Sequence, residues 1–170
     1  RKETEYERPE LVVLLNPFSR DLRLQVNPIF IGGRYRKLLR GIPQSRWLCG
    51  NCRGKGCKQC GGTGRMYPDS VEEIIGYPAL EMSQGEDIAL HGAGREDIDA
   101  RMLGRGRPFV IEVKKPKKRF LNLKTLRREI NERANGKVEV STLNLADKDL
   151  VRRLKKSEAA RKLYRVAVKV

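Results

Sequence analysis

Apolar positions recur along the chain with two different periods. Leu11 to Leu15 is a short apolar run closed by Asn16-Pro17, and Leu22-Arg23-Leu24-Gln25-Val26 alternates before Asn27-Pro28. Both are predicted strands punctuated by turns. Ile29-Phe30-Ile31 then leads into Gly32-Gly33-Arg34-Tyr35-Arg36-Lys37, read as a glycine turn and a basic cluster with one aromatic ring, either an RNA contact or a solvated loop. From Asp69 the period becomes helical: Ser70 and Glu73 form a capping box, and Val71, Ile74 and Ile75 share one face. Gly76 and Pro78 are expected to end or kink that helix before Ala79 to Met82 resume it.

Ile88-Ala89-Leu90 is a predicted strand that runs straight into a loop from His91 to Asp99, and Phe109 to Val113 is another, introduced by Gly106-Arg107-Pro108 and closed at Pro116. Leu123, Leu126, Ile130 and Ala134 mark one helical stripe, with Asn122 as N-cap and Asn135-Gly136 as the stop. Val138, Val140 and Leu143 predict a strand, Leu150, Val151 and Leu154 a helix otherwise rich in Lys and Arg, and Leu163 to Val170 an alternating last strand. Strands interleaved with helices indicate an α+β or α/β class with a mixed sheet.

Composition narrows the function classes. The 170 residues carry 37 Lys and Arg against 21 Asp and Glu, a net charge of +16. That length suits one domain with at most a small appendage, and 39% hydrophobic residues suffice for a core. No run approaches the roughly 18 apolar residues of a spanning helix, and the first ten residues form no signal peptide, so a cytoplasmic protein is expected. Residues 20–65 hold eleven basic side chains against one acidic, residues 66–100 one against nine, and residues 101–170 twenty-two against seven. Two basic segments around an acidic one suit a polyanion-binding surface that holds a local cluster of carboxylates. The chain begins with Arg1 and stops on an alternating segment that would ordinarily continue to a turn and a partner strand, so a piece of a longer protein is expected.

All four cysteines lie within twelve residues, Cys49-x2-Cys52 and Cys57-x2-Cys60, and each pair is followed by alternating glycines. A Cys-x2-Cys turn puts two thiolates on one side of a tight loop, and a second copy completes a tetrahedral shell. Structural zinc is the expected ligand, in an inserted module over residues 44–68. Disulfides are the alternative, disfavoured in a reducing compartment. The tandem Cys-x2-Cys-x-Gly-x-Gly pattern resembles the cysteine-rich repeat of the DnaJ chaperones, a likeness of the knuckle that implies no chaperone activity. Four thiolates leave no open position, so this metal is expected to do no chemistry. A single His91 also argues against a catalytic His-ligated metal.

Gly92 to Asp99 is the densest chemical segment, with three carboxylates and an arginine on a glycine turn. An ordinary solvated turn is the simplest reading. A second reading takes Asp99 with Glu112-Val113-Lys114 as a magnesium-dependent nuclease, two carboxylates holding the ion and the lysine orienting water. A third is a non-enzymatic, zinc-containing RNA-binding module.

The segments Pro28 to Tyr35, Gly41 to Trp47, Ser70 to Ile75, Gly94 to Leu103 and Gly106 to Glu112, in that order, resemble the catalytic domain of the archaeal and eukaryotic tRNA pseudouridine synthases of the tenth class. The resemblance implies an α+β fold with a mixed, largely antiparallel sheet and helices on one face, of which residues 1–170 form part. It implies isomerisation of uridine to pseudouridine in the T-loop of tRNA, with no organic cofactor and no obligate protein partner. Gly94-Arg95-Glu96-Asp97 resembles the catalytic-aspartate motif, which makes Asp97 the catalytic carboxylate and Arg95 a group that holds the flipped nucleotide. Asp99 is its rival, on the same face of an extended stretch and able to raise the pKa of Asp97. Tyr164 matches the ring expected beneath the base, and Arg34, Arg107 and Lys114 are the candidate substrate-binding residues. The family's third motif and its amino-terminal RNA-binding domain are not matched, and poor catalysis by these 170 residues alone is expected.

Overall fold

Alternation along Ile29 to Lys37 builds the centre of the molecule, because that stretch is one continuous strand and the glycines at 32 and 33 lie inside it. In the computed structural model, which describes residues 9–156, 163–166 and 168, this strand is β3 (Ile29–Lys37). It pairs with β5 (Met102–Lys114), and β5 pairs in turn with β4 (Asp87–Gly92). The other edge of β3 is shared by two short strands. Tyr35 to Lys37 pair with β6 (Val138–Val140), and Phe30 to Gly32 pair with β7 (Asn144–Ala146). Every ladder among the described residues is antiparallel, within the α+β class expected.

Helix α1 (Val71–Ser83) starts where its sequence directs, with the Ser70 hydroxyl oxygen accepting from the Glu73 N–H at 3.2 Å. It does not stop at Gly76 or Pro78 but runs on to Ser83. Gly76 serves packing here: a Cβ would sit 2.3 Å from Ile88 Cδ1, so the missing side chain is what lets α1 lie close on β4. Pro78 is buried within the helix, which continues through it although proline supplies no N–H for the ladder. Helix α2 (Leu123–Ala134) is capped as expected by the Asn122 side chain and ends at Asn135 in the left-handed conformation.

Odd-numbered residues of β3 face α1 and α2, and with them Ile29, Ile31 and Tyr35 join Val71, Ile75, Ile111, Val113, Leu126 and Ile130 in one buried core. Each such side chain contributes on the order of 1.5–3 kcal/mol by leaving water. The opposite face is covered by the third helix, α3 (Lys148–Lys156): a Cβ on Gly32 would touch both Ala146 and Leu150. No helix among the described residues is long and apolar enough to cross a membrane.

Two elements stand outside this body. Strands β1 (Leu11–Leu15) and β2 (Leu22–Val26) form a separate hairpin whose Leu11, Val13, Leu14, Leu15, Leu22 and Leu24 are all exposed. The cysteine module lies between β3 and α1, closed by a bridge between Leu48 and Arg65. The expected last strand, Leu163 to Val170, is not formed among its described residues: 163–166 and 168 pair with nothing, and Leu163 is fully exposed. An alternating segment becomes a strand only against a sheet edge, and no described edge accepts it.

Candidate active site and metal centre

The loop joining β4 to β5, residues 93–101, rests on polar side chains that the inner face of β3 carries into the interior. Lys37 is completely buried. Its ammonium donates to the carbonyls of Ile42 at 2.9 Å, Asp97 at 2.8 Å and Ile98 at 3.0 Å. All three of its protons are thereby used, and the backbone at Asp97 is clamped from beneath. Burial pulls the Lys37 pKa below its usual value, opposed by the nearby charges of Glu96, Asp99 and Asp97.

Two positions earlier on the same face, the Tyr35 hydroxyl donates to Glu96 at 2.8 Å and accepts from the Gln44 amide at 2.9 Å. Burial and then the Glu96 carboxylate push the Tyr35 pKa well above the tyrosine range, so the phenol stays protonated. Glu96 is itself buried and forms a close ion pair with Arg107, Nε to Oε2 at 2.8 Å. Arg107 also donates to the Ala93 carbonyl at 2.5 Å, and Gln44 to that of Gly94 at 3.1 Å. The loop is thus pinned at residues 93, 94, 96, 97 and 98.

Above this floor the candidate catalytic groups point into water. Arg95, Asp97 and Asp99 are exposed, and none of their side chains has a hydrogen bond or ion pair among the described residues. A carboxylate held on fixed backbone with no internal partner is available to an incoming molecule. The substrate-binding candidates separate. Arg34 is exposed, its guanidinium donating to the carbonyls of Arg105 at 2.9 Å and Gly106 at 2.8 Å on β5, from the sheet face opposite Tyr35 and Lys37. Arg107 lies beneath the loop, 5% exposed and engaged with Glu96. Lys114 is at the far end of β5, paired with Asp87 at 2.8 Å. Tyr164 is 71% exposed and makes no hydrogen bond or ring contact among the described residues.

The nuclease grouping is not assembled. Glu112 accepts from His91 at 2.8 Å and Lys114 is held by Asp87, while Asp99 sits beyond Gly92, which pairs with Phe109 three ladder positions away, roughly 10 Å along the sheet. The residues missed by sequence reasoning are Tyr35, Lys37, Gln44 and Glu96. The signal that finds the first two is the period-two continuation of Ile29 and Ile31, which puts both inside.

The four cysteines converge. Their Sγ atoms lie within 4.8 Å of one another, and three pairs are separated by 3.7–3.8 Å. Four sulfurs at the usual bond length of about 2.3 Å from one tetrahedral ion would be about 3.8 Å apart, so the donor set fits such a metal. Backbone N–H groups supplement it, Gly56 donating to Cys52 at 3.2 Å and Gly64 to Cys60 at 3.1 Å. Burial pushes the Cys60 thiol up, but the N–H groups of Cys57 and Gly64 outweigh it and bring its pKa to about 6, toward the thiolate a metal requires.

The two halves interlock through glycine. A Cβ on Gly56 would lie 2.5 Å from the Gly62 carbonyl oxygen, and one on Gly64 would lie 2.4 Å from that of Gly54, with all four at positive φ. The module is fastened to α1 by Arg65 with Glu73 at 2.6 Å and by the Arg46 N–H to Glu72 at 3.0 Å. Trp47 stacks on Tyr67 at its neck, ring centroids 5.6 Å apart.

The family model described as "Pus10, C-terminal" matches residues 30–170. Among similar proteins is "tRNA pseudouridine synthase Pus10" of Methanothrix thermoacetophila, 52% identical over 167 residues, covering 98% of this chain and 37% of that protein. The protein of the same name from Methanocaldococcus jannaschii is 54% identical over 168 residues, covering 98% and 36%, and that of Archaeoglobus fulgidus 49% identical over 160 residues, covering 94% and 44%. The chain therefore spans well under half the length of the relatives it matches.

Proposed function

Since this chain belongs to the Pus10 C-terminal family, we propose that it is part of the catalytic domain of a tRNA pseudouridine synthase acting on uridine in the T-loop. Such a protein works where its tRNA is, in the cytoplasm. The observation that carries the reading is the clamped, solvent-facing Asp97: its backbone is fixed by Lys37 while its carboxylate is left without an internal partner. A nucleophile or base that must meet a flipped nucleotide needs that combination of fixed origin and open face. Asp97 attacks the anomeric carbon or takes a proton from the adjacent ribose carbon, so that the base detaches, turns and rejoins through carbon. Arg95, exposed beside it, holds the extruded nucleotide, and Arg34 and the surrounding basic surface hold its phosphates. The role of Tyr164 as the ring beneath the uracil requires residues 163–166 to be carried to the loop by parts of the fold outside the described residues.

The cysteine module takes zinc in this reading. Cys49, Cys52, Cys57 and Cys60 hold the ion in a closed shell whose contribution is to fold the insertion. The proposal is tested by tritium release from carbon-five-labelled tRNA uridine by the full-length parent protein. Release by wild type, and its loss in Asp97→Asn with tRNA affinity retained, is the expected result. RNA cleavage without release, or full activity of the Asn variant, refutes it.

A further inference from the structure

The segment after β5 is rigid in its backbone and open in its side chains. Pro116 is buried, the N–H groups of Lys117 and Lys118 both donate to the Ser83 carbonyl at 3.0 and 2.8 Å, and Leu121 packs against the core. Arg119 is turned inward, donating to the Asn27 carbonyl at 2.6 Å. What these anchors leave outside is Lys117, Lys118 and Phe120. Neither lysine has an ion pair or hydrogen bond through its ammonium among the described residues, whereas neighbouring Lys114 and Lys115 are paired with Asp87 and Glu86. Phe120 is 97% exposed. Lys117, Lys118, Arg119 and Phe120 line an open hollow of about 420 Å³. Lys124, Arg127 and Arg128 on α2 are exposed as well.

An aromatic ring presented in water by a fixed loop, with unpaired ammonium groups two and three residues away, is the arrangement that reads single-stranded nucleic acid. Any base stacks on the ring, and the cations neutralise the phosphates on either side of it. We infer that Lys117, Lys118 and Phe120 form a second RNA contact, in which Phe120 stacks on an unpaired base and the two lysines hold the adjoining phosphates. The contact is separate from the Asp97 loop. β5 carries the chain seven residues from Arg107, beneath that loop, to Lys114, a span of roughly 20–25 Å. One RNA large enough to reach both would be anchored at two places, so the distant contact sets affinity and orientation without touching the reacting nucleotide. The inference rests on the proposed function only in the choice of tRNA as the RNA.

The test measures binding of the metal-loaded 170-residue chain to a transcribed, dye-labelled tRNA by fluorescence anisotropy across a range of salt concentrations. Lys117→Ala/Lys118→Ala should weaken binding and flatten the dependence of log K on log salt by about 1.5, the loss of two phosphate contacts. Phe120→Ala should weaken it about fivefold or more without changing that slope, and Phe120→Trp should restore it. Unchanged melting temperatures establish that the variants fold. Wild-type affinity and slope in both Ala variants overturn the inference, and so does equal, Phe120-dependent affinity for polyglutamate, which marks an acidic protein as the partner. The two readings fail separately. Loss of binding in these variants with no pseudouridine formed by the parent protein refutes the synthase reading alone, while isomerisation that depends on Asp97 with unaltered binding in these variants refutes the second contact alone.

Discussion

Replacing Lys37 by methionine keeps the length and apolar volume of the side chain and removes only its ammonium. The structure says which acceptors are then stranded. The Ile98 carbonyl retains the Gly41 N–H at 2.9 Å and the Asp97 carbonyl retains the Ala100 N–H at 3.2 Å, so the Ile42 carbonyl is the group left with no other donor among the described residues. Three charge-assisted hydrogen bonds are lost, each worth on the order of 1.5–3 kcal/mol. Against this stands relief from burying a cation, an opposing effect visible in the depressed Lys37 pKa. The net cost is about 2–4 kcal/mol, which for a domain of this size lowers the melting temperature by about 5–15 °C. Differential scanning calorimetry measures it, with Lys114→Met as the control: its ammonium is half exposed and paired at the surface, so its loss should lower the melting temperature far less. Limited trypsin digestion reads the local effect, since Arg95 and Arg101 flank the clamped carbonyls and should be cut faster once the loop is released. A Lys37→Met protein that melts within about 1 °C of wild type and shows no faster cleavage at those two sites would show that the ammonium does not hold the loop.

Tyr35→Phe carries a pH signature whose sign follows from burial. The folded-state pKa is raised above the unfolded value of about 10, so the hydroxyl's contribution is fully present below pH 10 and is lost as pH rises beyond it. Thermal melts of wild type and variant should therefore differ most below pH 10 and converge at higher pH, and a gap that widens there contradicts the assignment. In the cysteine module, Gly64→Ala puts a methyl group where the Gly54 carbonyl oxygen stands, at a positive φ that alanine tolerates poorly. Metal analysis after dialysis should find the ion largely lost from this variant, whereas Gly50→Ala, which meets nothing within 4 Å, should retain it.

Legibility followed burial pattern and failed where one residue type served an unusual purpose. Both hairpin strands, the β4 and β5 cores and all three helices were visible as periodicity, and the Ser70, Asn122 and Asn135 caps as local chemistry, whereas β3 read as an apolar start followed by a glycine turn. Gly104, Gly106 and Pro108 concealed the first half of β5, because residues that ordinarily break a strand are here paired or bulged against Arg34 to Lys37. Gly76 and Pro78 looked like a helix stop because what keeps the helix running is tertiary, the close approach of Gly76 to β4 and the burial of Pro78. β7 is three residues long and draws its stability from β3, so it leaves almost no local trace. The candidate site divides in the same way. Asp97 and Arg95 were found by motif, and the four cysteines by spacing. The supporting floor was hidden because Arg34-Tyr35-Arg36-Lys37 reads as one basic run, whereas a strand deals alternate members to opposite faces and sends Tyr35 and Lys37 inside. Glu96 and Arg107 were hidden for a related reason: a buried ion pair has no sequence mark until both partners are placed.

The reciprocal glycine contacts of the cysteine module bear on how much information its shape requires. Cys49 to Gly56 and Cys57 to Gly64 are two readings of one eight-residue phrase. Each copy supplies two thiolates, an N–H directed at its own second sulfur and the backbone oxygen against which the other copy's last glycine closes. Arg53 and Gly61, at matching places in the phrase, even share a left-handed backbone, with φ of 50° and 59°. A single phrase written twice thus specifies the entire module, and half of it specifies nothing, since neither copy alone has a full ligand set or a surface to close upon. An error in one copy is consequently an error in both.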